Sequence, residues 1–138
     1  MANAINSTTL ATDAAKQEIT FLYTVLSDGT EESGTVMYDS SVVCTALGIP
    51  DSKDCTIRKI DMVVSSVAAK ATLLFDATTD VVAVAIPQGN SALKRDYDCV
   101  YGGLPNYAGT GKTGDILLTT SGLESGDSIT IFITVRAN

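Results

Sequence analysis

The chain has 138 residues, 45% of them hydrophobic and 18% charged, with sixteen acidic against nine basic side chains and a net charge of −7. That length and balance fit one domain with a core of its own and exclude a chain disordered throughout. The nine cations are scattered, so the clustered basic surface of a nucleic-acid binder is missing, and attraction to an anionic membrane is weakened in the same way.

Residues 1–17, MANAINSTTLATDAAKQ, are rich in Ala, Thr, Asn and Ser and carry only a weak apolar pattern. They read as an N-terminal arm that is flexible or orders against a partner, with a short packed helix as the other reading. The stretch shows neither the basic nor the apolar region of a secretory leader, and no apolar run reaches the ~18 residues that span a bilayer.

From residue 18 to 138 the pattern is that of strands and turns. In EITFLYTVL, Ile19, Phe21, Tyr23 and Val25 alternate with Thr20 and Thr24, and SDGTEESG then reads as an acidic turn. TVMYDSSVVCTAL, rich in β-branched residues, reads as a strand that bends near Asp39–Ser41. After GIPDSKDC, Ile60, Met62 and Val64 alternate along TIRKIDMVVSSV, and Leu73 and Phe75 share a face before the turn Asp76–Asp80. VVAVAIPQGN is apolar on both faces, as for a strand near the middle of a sandwich, and Pro87 ends it. Ser91 to Gly114 reads as the longest irregular stretch. DILLTT and SITIFITVR close the chain as two strands, the second pointing Ile129, Ile131, Ile133 and Val135 one way. No helical period is visible in the body of the chain. The fold class is therefore all-β: an arm followed by a single antiparallel, jelly-roll-like β-sandwich of seven or eight strands.

NYAGTGKTGD, Asn106 to Asp115, holds the second half of a phosphate-binding loop, Gly111-Lys112-Thr113. The first glycine of that motif falls on Asn106, and a strand rather than a helix follows, so the stretch reads as a glycine-rich surface loop. With no histidine, Ser-His-Asp and Cys-His chemistry is impossible. The acid pairs Glu31/Glu32 and Asp76/Asp80 read as solvated turn acids, and DATTD lacks the spacing of a calcium loop. Cys44, Cys55 and Cys99 read as small buried hydrophobes of a chain made in reducing cytosol, a Cys44–Cys55 bridge being the alternative. No catalytic residue, cofactor site or metal site is expected. Tyr97, Tyr101 and Tyr107 surround the glycine loop, either as a contact surface or as packing beneath it.

The run Gly102-Gly103-Leu104 through Ile116 and the closing stretch Ser125 to Ile131 resemble small virion-associated proteins of tailed, often marine, bacteriophages; SDGTEESG and LLFDATTD are in keeping with that group. The resemblance implies a non-enzymatic head protein, of the decoration or cement kind, on the capsid exterior. Its partner would be the major capsid protein, and the resemblance admits a homo-oligomer, such as a trimer at a three-fold position. Such a protein would be made in the host cytoplasm. It would need neither nucleic acid nor membrane. The expected contact elements are the arm, at Thr8, Thr9 and Leu10, and the glycine loop, at Tyr97, Tyr101, Leu104, Asn106, Tyr107 and Lys112. Two other functions stay open: another head or tail component, and a carbohydrate- or receptor-binding β-sandwich module of a head or tail fibre.

Overall fold

Strand alternation sets the architecture. The computed structural model describes residues 3–51, 53–86, 91–97 and 103–137. Its elements are β1 (Ala4–Asp13), β2 (Glu18–Leu26), β3 (Thr35–Tyr38), α1 (Ser40–Leu47), β4 (Cys55–Val64) and β5 (Lys70–Phe75). They continue with β6 (Val81–Ala85), β7 (Ala92–Asp96), β8 (Leu104–Pro105), β9 (Ile116–Ser121) and β10 (Ser128–Ala137).

The strands form two antiparallel sheets. Sheet A runs β1-β2-β10-β4-β7, with β8 paired to the first residues of β4, and sheet B runs β3-β9-β5-β6. The chain changes sheet after β2, β3, β4, β6, β8 and β9. The order β2-β10-β4-β7 facing β3-β9-β5-β6 is that of an eight-stranded jelly roll with two Greek keys. The expected sandwich is present, with β1 and β8 added to its eight strands.

The inner faces supply the core. Ile129, Ile131, Ile133 and Val135 of β10 and Ile57 and Met62 of β4 share one fully buried cluster with Leu73 and Phe75 of β5 and Ile116 and Leu118 of β9. β-Branched side chains dominate because they fit a pleated surface with little loss of rotamer freedom. Phe21 stacks on Tyr38 with ring centroids 6.4 Å apart, joining the two sheets on the β2–β3 side.

Four local expectations are corrected. Ser40–Leu47 is a helix, although its valines and threonine suggest a strand. The Asp39 carboxylate accepts from the Ser41 and Val42 N–H groups at its start, and Gly48, at φ 72°, ends it by donating to Thr45. The caps and the burial of Val43, Cys44 and Leu47 outweigh the weak β preference. β6 lies at the edge of sheet B, with Val82 exposed. The stretch from Ser91 contains β7, whose sequence ALKRD conceals its alternation because Leu93 alone is buried. Lastly, the segment read as an arm holds strand β1, hydrogen-bonded to β2 from Ala4 to Asp13 with an irregularity between Thr9 and Ala11.

Truncating Leu73 to Ala is expected to cost about 2–5 kcal/mol, as for other buried leucines. Asp39→Ala should cost about 1 kcal/mol by removing the cap of α1. Urea titration followed by circular dichroism checks both values; a Leu73→Ala variant as stable as the parent would contradict the core described above.

Candidate interaction surface

The outer face of sheet A is set by register. Phe132 on β10 lies between Leu22 on β2 and Asp61 on β4, and the row continues to Thr8 on β1 and Lys94 on β7. The adjoining row places Thr130 between Thr24 and Val63, and the row on the other side places Thr134 between Thr20 and Lys59. The Thr20 and Thr134 hydroxyls are 2.9 Å apart. Lys59 opposes Asp96 and Asp61 opposes Lys94, so charges of opposite sign meet across the β4–β7 pair. Phe132 is 44% exposed, and Val63 and Leu26 are also exposed on this side. Beside Phe132, a shallow depression of about 330 Å³ is bounded by Lys59, Asp61, Lys94 and Asp96. The result is a broad face of threonines and exposed apolar side chains, mixed with charge and lacking a deep cleft.

The expected contact residues are spread over the molecule. Thr8 belongs to the outer row just described, whereas Thr9 lines a groove on the inner side of β1, and Leu10 occupies the irregularity between them and Ala11. Tyr97 and Leu104 lie beyond β4, on the far side of sheet A from β1, and pack against the core. Tyr101 lies outside the described residues. Asn106 departs from the expectation: it is 7% exposed, its N–H donates to the Cys55 carbonyl and its side-chain oxygen accepts from the Ala108 N–H. It holds the loop in shape from within. Tyr107 is exposed but pinned, its hydroxyl donating to the Val82 carbonyl and its ring meeting Phe75 edge-on.

The glycine loop is held by backbone contact. A Cβ on Gly111 would come within 2.1 Å of the Thr78 hydroxyl, and one on Gly114 within 2.8 Å of the Lys53 and Asp54 backbone, and both glycines have positive φ. Lys112 pairs with Asp54 at 3.5 Å, and Thr113 donates to Asp76. The loop leads into strand β9 and not into a helix. A cavity of about 430 Å³ beside it is lined by Asp39, Asp51, Asp115, Lys53 and Lys112. Its carboxylates are already engaged: Asp115 accepts from the Ser40 N–H at 2.8 Å, and Asp51 accepts from the Ser40 hydroxyl and the Lys53 N–H. No cluster of three metal-ligating side chains occurs among the described residues. Cys44 and Cys55 are buried free thiols, and burial, with Asp54 nearby, pushes the Cys55 thiol up to about 12. Cys99 lies outside the described residues. No helix among the described residues is long and apolar enough to cross a membrane.

No protein-family model matches the chain, and no curated protein matches it. Among solved structures, one similar chain is a mutant of a family 29 carbohydrate-binding module, made to probe its mechanism of ligand recognition. The two are 12% identical with a TM-score of 0.31, and the match covers 97% of this chain and 79% of that one. So loose a likeness carries no argument about function.

Burial raises the Asp115 carboxyl above its usual range; the Ser40 N–H opposes this, and Asp39, Asp76 and Asp51 add to the rise. A carboxyl raised on folding binds its proton more tightly in the native state. It therefore costs stability above its native pKa, and the cost is relieved as pH falls through that value. Asp115→Asn, which keeps an oxygen for Ser40, should be at least as stable as the parent at neutral pH and lose its advantage as pH falls to about 4. Asp115→Ala leaves the buried Ser40 N–H unpaired and should cost about 1–3 kcal/mol. Denaturant titrations across pH test the pair.

Proposed function

We propose that this protein is a non-catalytic structural virion component that docks on the outside of a phage capsid and clamps neighbouring major capsid subunits. The observation that supports docking is the outer face of sheet A, where Phe132 stands beside Leu22, with Val63 in the adjoining row and a field of threonines around it. A broad face with a central exposed aromatic and a polar surround suits a protein surface better than a small ligand. The capsid as partner rests on the resemblance carried by Gly102 to Ile116 and Ser125 to Ile131.

The mechanism is interface added across capsomer boundaries. A specific contact buries about 1,200–2,000 Å² in total, and repetition over a shell multiplies a modest affinity into mechanical reinforcement. The net charge of −7 keeps the free protein soluble before it docks.

A second reading draws on the same face. Phe132 beside the depression bounded by Lys59, Asp61, Lys94 and Asp96 combines an apolar platform with hydrogen-bonding groups, which a carbohydrate- or receptor-binding module of a head or tail fibre would use.

Binding of the purified protein to expanded, decoration-free heads is expected to saturate at symmetry positions. Phe132→Asp should weaken it about 30-fold, corresponding to about 2 kcal/mol, while leaving the melting temperature nearly unchanged. Val82→Asp, at the edge of the other sheet, should bind like the parent. Absence of saturable binding, or binding indifferent to Phe132→Asp, removes the capsid reading; a glycan-array signal abolished by Phe132→Asp would put the carbohydrate reading first.

A further inference from the structure

Strand β1 is the anomaly of the fold. All ten of its residues are exposed, because it extends sheet A past β2 while sheet B ends at β3. No strand among the described residues pairs with its outer edge, and between Ala4 and Thr12 it carries no lysine, no proline and no charge. Those are the devices that normally blunt an edge strand. The irregularity at Leu10 interrupts the strand but leaves Ala4–Thr9 regular. On the inner side of the same edge lies a groove of about 240 Å³, floored by Ser7 and Thr9 and walled by Phe21, Val42 and Ala46. An open backbone edge and an apolar groove thus coincide.

We propose that this edge pairs with β1 of a second copy of the chain, antiparallel about a two-fold axis, to make one continuous sheet. The proposal does not depend on the capsid reading. Charge and pleat both select the occupant. Two strands without charge from Ala4 to Thr12 can lie side by side with no like charges opposed, although each chain carries −7 overall. Ser7 and Thr9 face the groove, opposite Tyr23 and Phe21 of β2, so Ile5 shares their face. Residues directly opposite in an antiparallel pair point to the same side of the sheet, so odd-numbered residues of this segment must oppose odd-numbered ones. The register with Ser7 opposite Ser7 satisfies this. It sets Ile5, 39% exposed in the single chain, beside Thr9 of the other copy at the mouth of the groove.

Beyond the uncharged stretch the ends of the pair carry charges of both signs. In this register Ala11 lies opposite Asn3 of the other copy, so Asp13 and then Lys16 of the following turn come next, beside the loop that Asn3 holds. Asp28, Glu31 and Glu32 gather in that loop, and Asn3 ties it down by donating to the Thr30 carbonyl and the Glu32 carboxylate. The two-fold axis repeats this mixed-charge contact at both ends.

Sedimentation of the intact protein tests the proposal without capsids. The parent should move from one to two chain masses as concentration rises. Ser7→Lys, which sets two ammonium groups face to face at the axis, should stay at one chain mass with an unchanged circular dichroism spectrum. Val63→Lys, on the outer face, should dimerise like the parent. Ser7→Cys should form a disulfide-linked dimer on mild oxidation, since opposed residues of antiparallel strands lie about 4.5–5.5 Å apart at Cα. A parent that is monomeric at every concentration, a trimer, or a dimer that Ser7→Lys leaves intact would each overturn the proposal. So would hydrogen-exchange protection of β1 seen only on phage heads, which would assign the edge to a capsid strand.

Discussion

The burial of β10 in the middle of sheet A is the interaction on which the rest depends. Its four inward side chains, Ile129, Ile131, Ile133 and Val135, are fully buried, and the strand pairs with β2 on one side and β4 on the other. Because these residues face Leu73, Phe75, Ile116 and Leu118 across the sandwich, the two sheets have one mutual register. A one-residue slip of β10 would bring Thr130, Phe132, Thr134 and Arg136 inward, an outcome the core forbids. The same alternation that fills the core therefore dictates the outer face, with Phe132 at its centre.

A core of this kind leaves chemistry to the periphery. The inner faces are apolar, and the acidic end of the sandwich, around Asp39, Asp51 and Asp115, spends its carboxylates on the start of α1 and on the turns beside it. Asp115 and Asp76 likewise tie the glycine loop to its neighbours. The surface open to a partner includes the broad outer face of sheet A and the edge of β1. The edge exists because sheet A has a strand more than sheet B on that side, so β1 has nothing above it. Helix α1 covers part of the resulting gap and leaves the groove between itself and β1.

Much of this was legible in the residues. β2, β5 and β10 each alternate cleanly, because each has one face in the core and one in solvent, and β4 alternates on both sides of its irregularity at Arg58–Lys59, whereas β9 buries Ile116, Leu117 and Leu118 in succession. The glycine loop was legible too: Asn106 stands where a phosphate loop needs glycine, and a strand follows. Helix α1 was hidden, since Val42, Val43 and Thr45 favour strands and its caps act only once the chain has turned at Asp39 and Gly48. β7 was hidden by its charges. β1 was hidden because a strand exposed on both faces has no alternation to display.

By itself, then, the sequence determined the class of fold, the composition of the core and the lack of histidine-based chemistry, because hydrophobic period and residue type are local properties. Only the tertiary structure decided the strand order, the exposure of β1, the burial of Asn106 and the meeting of Leu22, Phe132 and Asp61 in one row. Those depend on which strands become neighbours. Neighbours are chosen by contacts between residues far apart in the chain, where the packing of two sheets against each other outweighs any local preference.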